Sequence, residues 1–208
     1  MGLGQDRNNS SLAFLRRISR WQLPAVLVVV SGIFELFGDT GRALLQFDRV
    51  AISDLEIWRL FTGHLVHLGP SHWLLNTFGL ILVWLLVGMH FTSWQWLIVT
   101  VISIAGVDAG LWFFDSQLLW YVGMSGFLHG ILAAGVVKGF QTVPREALMV
   151  GVAVLIKIWY EQLIGPLPGS EQSAGGSVVV DAHLYGALAG LVAAAVFWND
   201  KPAKSPTQ

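Results

Sequence analysis

The chain has 208 residues, 54% hydrophobic and only 12% charged, with a formal net charge of -1. Soluble domains carry about 25% charged residues, which argues against a soluble globular domain and against a disordered chain; a pI near 6.6 gives no basic surface for nucleic acid. With no Cys, disulfides, thiolate metal sites and a thiol nucleophile are excluded, and ten Trp suit a protein whose indoles settle at membrane interfaces.

A spanning helix takes about 20 apolar residues, and six apolar stretches can be marked along the chain. The first runs from Trp21 to Phe37, after Arg16, Arg17 and Arg20. Its apolar core ends in Glu35 and Phe37 rather than a small-x-small cleavage site, so it reads as an uncleaved anchor. From Gly38 to Ser71 the pattern LEIWRLFTGHLVHLG mixes apolar and polar residues and suits short helices at the outer surface. The second stretch is His72 to Met89, the third Trp94 to Phe114, the fourth Tyr121 to Lys138 and the fifth Glu146 to Ile164. A loop rich in Gly, Pro and Ser, Gly165 to Val180, reads as mobile, and the sixth stretch is Ala182 to Trp198. The expected organisation is a cytoplasmic segment at 1–20, an all-α membrane domain of six helices at 21–198 and a disordered cytoplasmic tail at 199–208, without internal repeats.

Lys and Arg give the direction. With the N-terminus inside, the inner segments hold Arg7, Arg16, Arg17, Arg20, Lys138, Arg145, Lys201 and Lys204, and the outer segments hold Arg42, Arg49 and Arg59. This asymmetry predicts both termini inside.

The even-numbered spans then start at the outer face. His72 and Asn76 open the second, Ser125 the fourth and His183 the sixth, each within roughly 10 Å of the interface at 1.5 Å per residue. A Ser hydroxyl becomes a useful nucleophile when a neutral His accepts its proton. Acyl transfer also needs donors at the developing oxyanion. His72 and Asn76 are four apart on one helical face, and the first turn of the fourth helix offers unbonded N–H groups. Such a hydrolytic site needs no third acidic member. Gly123 and Gly126 flank Ser125 and allow close approach. Gly126 with Gly130, and Gly186 with Gly190, form two small-residue faces. If those faces meet, Ser125 and His183 come within hydrogen-bond reach.

These residues resemble the rhomboid family of intramembrane serine proteases. The matching pieces are Trp58-Arg59, His72-x-x-x-Asn76, Gly123-Met-Ser125-Gly126 and Ala182-His183-x-x-Gly186-x-x-x-Gly190. The resemblance implies Ser125 as nucleophile, His183 as general base, and His72, Asn76 and the Ser125 N–H as the oxyanion site. It implies a water-filled cavity open to the outer face and substrates entering from lipid. Where well-known rhomboids carry a Tyr one turn after the Ser, packed on the catalytic His, this chain has His129. The set GHLVHL, GMSGFLHG, KIWYEQL and DAHLYGALAG looks most like rhombosortase, a bacterial subfamily thought to process proteins ending in Gly-Gly, a hydrophobic helix and a short basic tail. That likeness implies an inner-membrane protease, open to the periplasm, acting on membrane-anchored proteins with no cofactor.

Other readings stay open at this point. His129 could support His183, act as base for Ser125, or simply pack. His64 and His67 could bond loop to helix or join His72 on a metal, although no H-E-x-x-H and no nearby acid favours a metal. His90 reads as interfacial; Arg59 could snorkel and anchor the outer loop to headgroups, and reads as structural. Lys157 and Glu161 are four apart and can pair, with Glu35 and Asp108 as candidates for the same network. Two other functions compete: a bis-His haem protein using two of His72, His129 and His183, and a non-catalytic rhomboid-like protein that binds membrane helices.

Overall fold

A computed structural model describes residues 20–200. The basic segment with Arg7, Arg16 and Arg17, and the tail with Lys201 and Lys204, lie outside the described residues. Each of the six apolar stretches becomes one helix. These are α1 (Gln22–Glu35), α5 (Pro70–Val87), α6 (Ser93–Phe114), α7 (Ser125–Gly139), α8 (Pro144–Ile164) and α10 (Val180–Val196). The first long connection carries α2 (Gly38–Leu45), β1 (Phe47–Asp48), α3 (Arg49–Ser53) and α4 (Arg59–Thr62). A second strand, β2 (Trp120–Tyr121), precedes α7, and α9 (Ser170–Ala174) precedes α10.

The helix starts have local causes. Pro70 and Pro144 sit at the first turns of α5 and α8, where a missing N–H costs nothing. Thr92 and Gln95 close a capping box at the start of α6. α7 begins only at Ser125, four residues later than expected, because the chain first passes Gly123 at φ +112°.

By length and composition α5, α6 and α8 can each cross a bilayer; α1 and α2 together would make a further span but bend by 116°. α10 is apolar over 17 residues. Outward faces expose Leu85, Trp94, Phe113, Leu155, Trp159 and Leu191, a surface suited to lipid rather than water. The chain is a multi-pass helical membrane protein.

α7 is the hub. It packs most extensively on α10, and α6 crosses both. A Cβ on Gly186 would overlap the carbonyl of Gly126, and one on Gly190 would overlap that of Gly130. The two small-residue faces do meet. Below them Leu80, Trp84, Phe91, Trp96, Phe127 and Ile131 fill the main apolar core.

The all-α expectation is corrected at one place. β1 and β2 pair antiparallel, with Phe47 opposite Tyr121 and Asp48 opposite Trp120. Phe47 and Tyr121 are buried with Val107, Leu111 and Ala182, so the ladder is held by a small core; two residues per strand give no periodicity to read. The mobile loop expected at Gly165 to Val180 contains α9, whose Ala174 is buried. Arg59 does not snorkel. It is 6% exposed, donates to the carbonyls of Ala43 and Gln46, and pairs with Glu56 at 2.6 Å. Those carbonyls lack helical partners, so the guanidinium is drawn inward.

Gly186→Ala should force α7 and α10 apart, costing about 1–3 kcal/mol as overpacking does. Gly79→Ala is the control, since its Cβ would meet only Leu128 at an ordinary 3.7 Å. Thermal unfolding in detergent should show a lower Tm for the first variant and an unchanged one for the second.

Candidate active site

Ser125 is the first residue of α7 and His183 the fourth of α10. The close crossing below them places the Ser125 Oγ 3.0 Å from the His183 Nε2. Both line a cavity of about 560 Å³, together with His72, Asn76, His129 and Glu161. Every residue singled out from the sequence as polar site material therefore reaches one space.

His72 accepts the Leu68 N–H on Nδ1 at 3.2 Å, which assigns its proton to Nε2. That nitrogen faces Gly123: a Cβ there would stand 3.0 Å from it and 3.8 Å from the Asn76 Nδ2. The glycine thus keeps open the space between two donors and the start of α7. Asn76 uses one amide hydrogen on the His72 carbonyl at 3.1 Å and has a second to give. Gly123 is itself fixed, its N–H on the Gly63 carbonyl at 3.1 Å and its carbonyl on the Tyr121 hydroxyl at 2.7 Å. A Cβ on Gly126 would stand 2.9 Å from that same hydroxyl.

Of the two nearby imidazoles, His183 reaches the hydroxyl and His129 does not. His129 directs Nδ1 to the main-chain carbonyl of Ser125 at 2.7 Å, which makes that nitrogen a donor. Its ring lies on His183 with centroids 4.2 Å apart and planes 23° apart. Of the three readings of His129, the geometry matches support of His183.

Sequence reasoning missed one partner. Glu161 sets Oε2 2.9 Å from the His183 Nδ1, and Lys157 sets Nζ 2.7 Å from the same oxygen. The expected pair of Lys157 and Glu161 is present, and it places an acidic side chain beside His183. An ionisable pair inside an apolar helix was the available signal; which way α8 turns it depends on packing.

The remaining candidates lie elsewhere. Asp108 takes His64 at 3.1 Å, and Glu35 lines a separate cavity with Arg42 and His67, so neither joins the Glu161 network. His67 packs edge-on against His72 at 5.1 Å and neither of its ring nitrogens has a partner among the described residues. Burial, and then His72 beside it, push its pKa down to about 3, so the ring is neutral. His90 lies at the other end of the bundle, against Gly139.

His129, Glu161 and His183 offer ligand atoms within 4.8 Å of one another, the donor set of many zinc sites. Their orientation does not fit an ion. The rings lie nearly parallel, so their in-plane lone pairs run side by side instead of converging. Both His183 nitrogens are also engaged, on Ser125 and Glu161. The same stacking leaves no gap for a porphyrin between His129 and His183, which counts against that pair of the haem reading.

A scan against protein-family models matches residues 54–200 to the model described as the Rhomboid domain. No curated protein matches the chain. A hydroxyl on an imidazole, beside spare N–H donors, is the arrangement that acyl transfer requires.

Ser125 should therefore react with a fluorophosphonate probe. Ser125→Ala should abolish labelling, and His183→Ala should slow it by about 10²-fold or more, the usual contribution of a general base. Gel fluorescence of purified protein measures both.

Proposed function

This chain belongs to the rhomboid family, whose members are intramembrane serine proteases, and on that premise we infer that it cleaves membrane-anchored proteins with a Ser125–His183 pair. The observation that carries the reading is the 3.0 Å contact between the Ser125 Oγ and the His183 Nε2 inside a cavity. Ser125 attacks the scissile carbonyl while His183 takes its proton. The oxyanion is held by the His72 Nε2–H, the Asn76 amide and the Ser125 N–H. His183 then protonates the leaving amine, and water releases the acyl-enzyme, unless another nucleophile takes the acyl group by transfer.

The topology that goes with this reading has six spans, with both termini inside and the cavity on the periplasmic side of a bacterial inner membrane. The count of Lys and Arg, eight on the inner segments against three on the outer, supports it. Arg42, Arg49 and Arg59, the three basic residues assigned outside, are all occupied by carbonyls or carboxylates of the protein.

The substrate class follows from the likeness to rhombosortases: proteins with a C-terminal Gly-Gly segment, a hydrophobic helix and a basic tail. Gly-rich backbone forms weak helices and can lie extended beside Gly123. A helix-binding protein without catalysis would have no use for the Ser125–His183 contact.

Co-expression with Gly-Gly-tailed proteins, followed by mass spectrometry of new C-termini, tests the reading. Cleavage should require both Ser125 and His183, with Ser125→Ala still expressed and folded. Full cleavage by Ser125→Ala would end it. The rate should also fall on the acid side, because an imidazolium cannot accept the serine proton; a flat profile over about pH 5 to 8 would count against His183 as base.

A further inference from the structure

The His183 ring makes contacts through both nitrogens, and only one faces Ser125. The other, Nδ1, lies 2.9 Å from the Glu161 Oε2 and 3.4 Å from the Lys157 Nζ. An ammonium has only donors, and an ionised carboxylate only acceptor sites. The same oxygen receives Lys157 at 2.7 Å, which supplies its countercharge. If Nδ1 were bare, its lone pair would face that oxygen at close range, and its one compensating donor would be the more distant ammonium. If Nδ1 carries the proton, it donates to Glu161 and leaves Nε2 bare toward Ser125. The distances favour the second arrangement.

We propose that Glu161 is a positioning residue of the reaction: its carboxylate holds His183 in the tautomer whose Nε2 can accept the Ser125 proton. This deepens the protease reading and rests on it. Two contacts then fix the ring. The stack of His129 sets its plane, and Glu161 sets its rotation within that plane.

Burial points the same way. α8 is the least embedded of the long helices, with only Ala147, Ile158 and Glu161 buried. Placing a carboxylate at one of three buried positions is costly unless it is partnered there. The other ionisable groups around His183 do not duplicate the contact. On α7 they are Ser125 and His129, whose bonds are described above. On α6 Asp108 is engaged by His64. On α10 itself Asp181 lies two residues toward the helix start, about half a turn round the helix, and the structure gives it no bond to Nδ1.

The step balances without moving a proton to Glu161. The Ser125 Oγ–H bond breaks, its proton passes to Nε2, and Oγ bonds to the carbonyl carbon. The imidazolium keeps its Nδ1 proton on Glu161. When the C–N bond breaks, the Nε2 proton leaves on the amine.

The test uses the full-length protein in detergent with ¹⁵N-labelled histidine, His183 being assigned by its loss in His183→Ala. Wild type should show His183 protonated on Nδ1. In Glu161→Gln the amide nitrogen can donate to Nδ1, so the Nε2–H form should appear. The kcat should fall by about 10²- to 10⁴-fold, as when the orienting acid of a serine triad becomes an amide, with KM within about threefold. Should Glu161→Gln fail to fold, Glu161→Asp takes its place; a carboxylate one methylene shorter should give mixed tautomers and about a tenfold loss of kcat. Wild-type kcat in the folded variant, or lost kcat with His183 still wholly Nδ1–H, overturns the proposal. Ser125→Ala separates the two ideas. If it still cleaves, the protease reading fails; if it is dead while the Glu161 variant is fully active, only the positioning role fails.

Discussion

The carbonyl of Gly126 stands where a methyl on Gly186 would be, and the carbonyl of Gly130 where a methyl on Gly190 would be. Between helices in lipid, no hydrophobic drive pulls apolar faces together, and close packing of backbones takes its place. The two helices run in the same direction, so the paired glycines also set their axial register. Ser125 stands one residue before the first contact on α7, and His183 three before it on α10. The hydroxyl–imidazole distance is therefore a consequence of two glycine contacts on each helix. A larger residue at any of them would move Ser125 and His183 apart without touching either.

The surrounding charges serve the same frame. Helix ends leave carbonyls without partners, and within a bilayer water cannot relieve them. Arg49 bonds the carbonyls of Leu111, Trp112, Asp115 and Leu118 at the end of α6 and lies over the Trp112 ring. Lys138 does the same at the end of α10, reaching the carbonyls of Phe197, Trp198 and Asp200. Arg49 directly follows β1, so the cap also secures the β1–β2 ladder. That ladder delivers the chain to Gly123, and Gly123 defines the space between His72 and Asn76. A cation far from the reacting atoms thus shapes the place where an oxyanion would rest.

Much of this was legible in the sequence, for a physical reason. Ser125, His183, His72 and Asn76 sit near the starts of helices, where the direction of a span fixes their depth. The small-residue faces could be read because a four-residue spacing of Gly has few uses in an apolar helix. Glu161 could not be assigned to His183, because pairing at i,i+4 shows that Lys157 and Glu161 meet but not which neighbour α8 turns them toward. The direction of the His129 Nδ1, toward a carbonyl of its own helix, was likewise not legible. Arg59 was read as structural, but its partners could not be read, because a basic residue near an interface can turn to headgroups or to backbone carbonyls, and only the folded connection supplies the carbonyls. The short ladder escaped because its two-residue strands carry no pattern.

The position of Glu161 has a structural consequence beyond orienting an imidazole. α8 exposes most of its length and has few buried apolar side chains to hold it. The hydrogen bond between Glu161 and the His183 ring is one of the contacts that fix it at the cavity end of the bundle. A buried carboxylate that loses a hydrogen-bond donor is left under-satisfied, which costs about 1–3 kcal/mol or more. Lys157, with its side chain 31% exposed, moderates that cost because it stays with the carboxylate on the same helix. The pair can leave His183 together without stranding a lone charge. The attachment of α8 at the cavity end thus runs through the His183 ring, the same ring that meets the Ser125 hydroxyl.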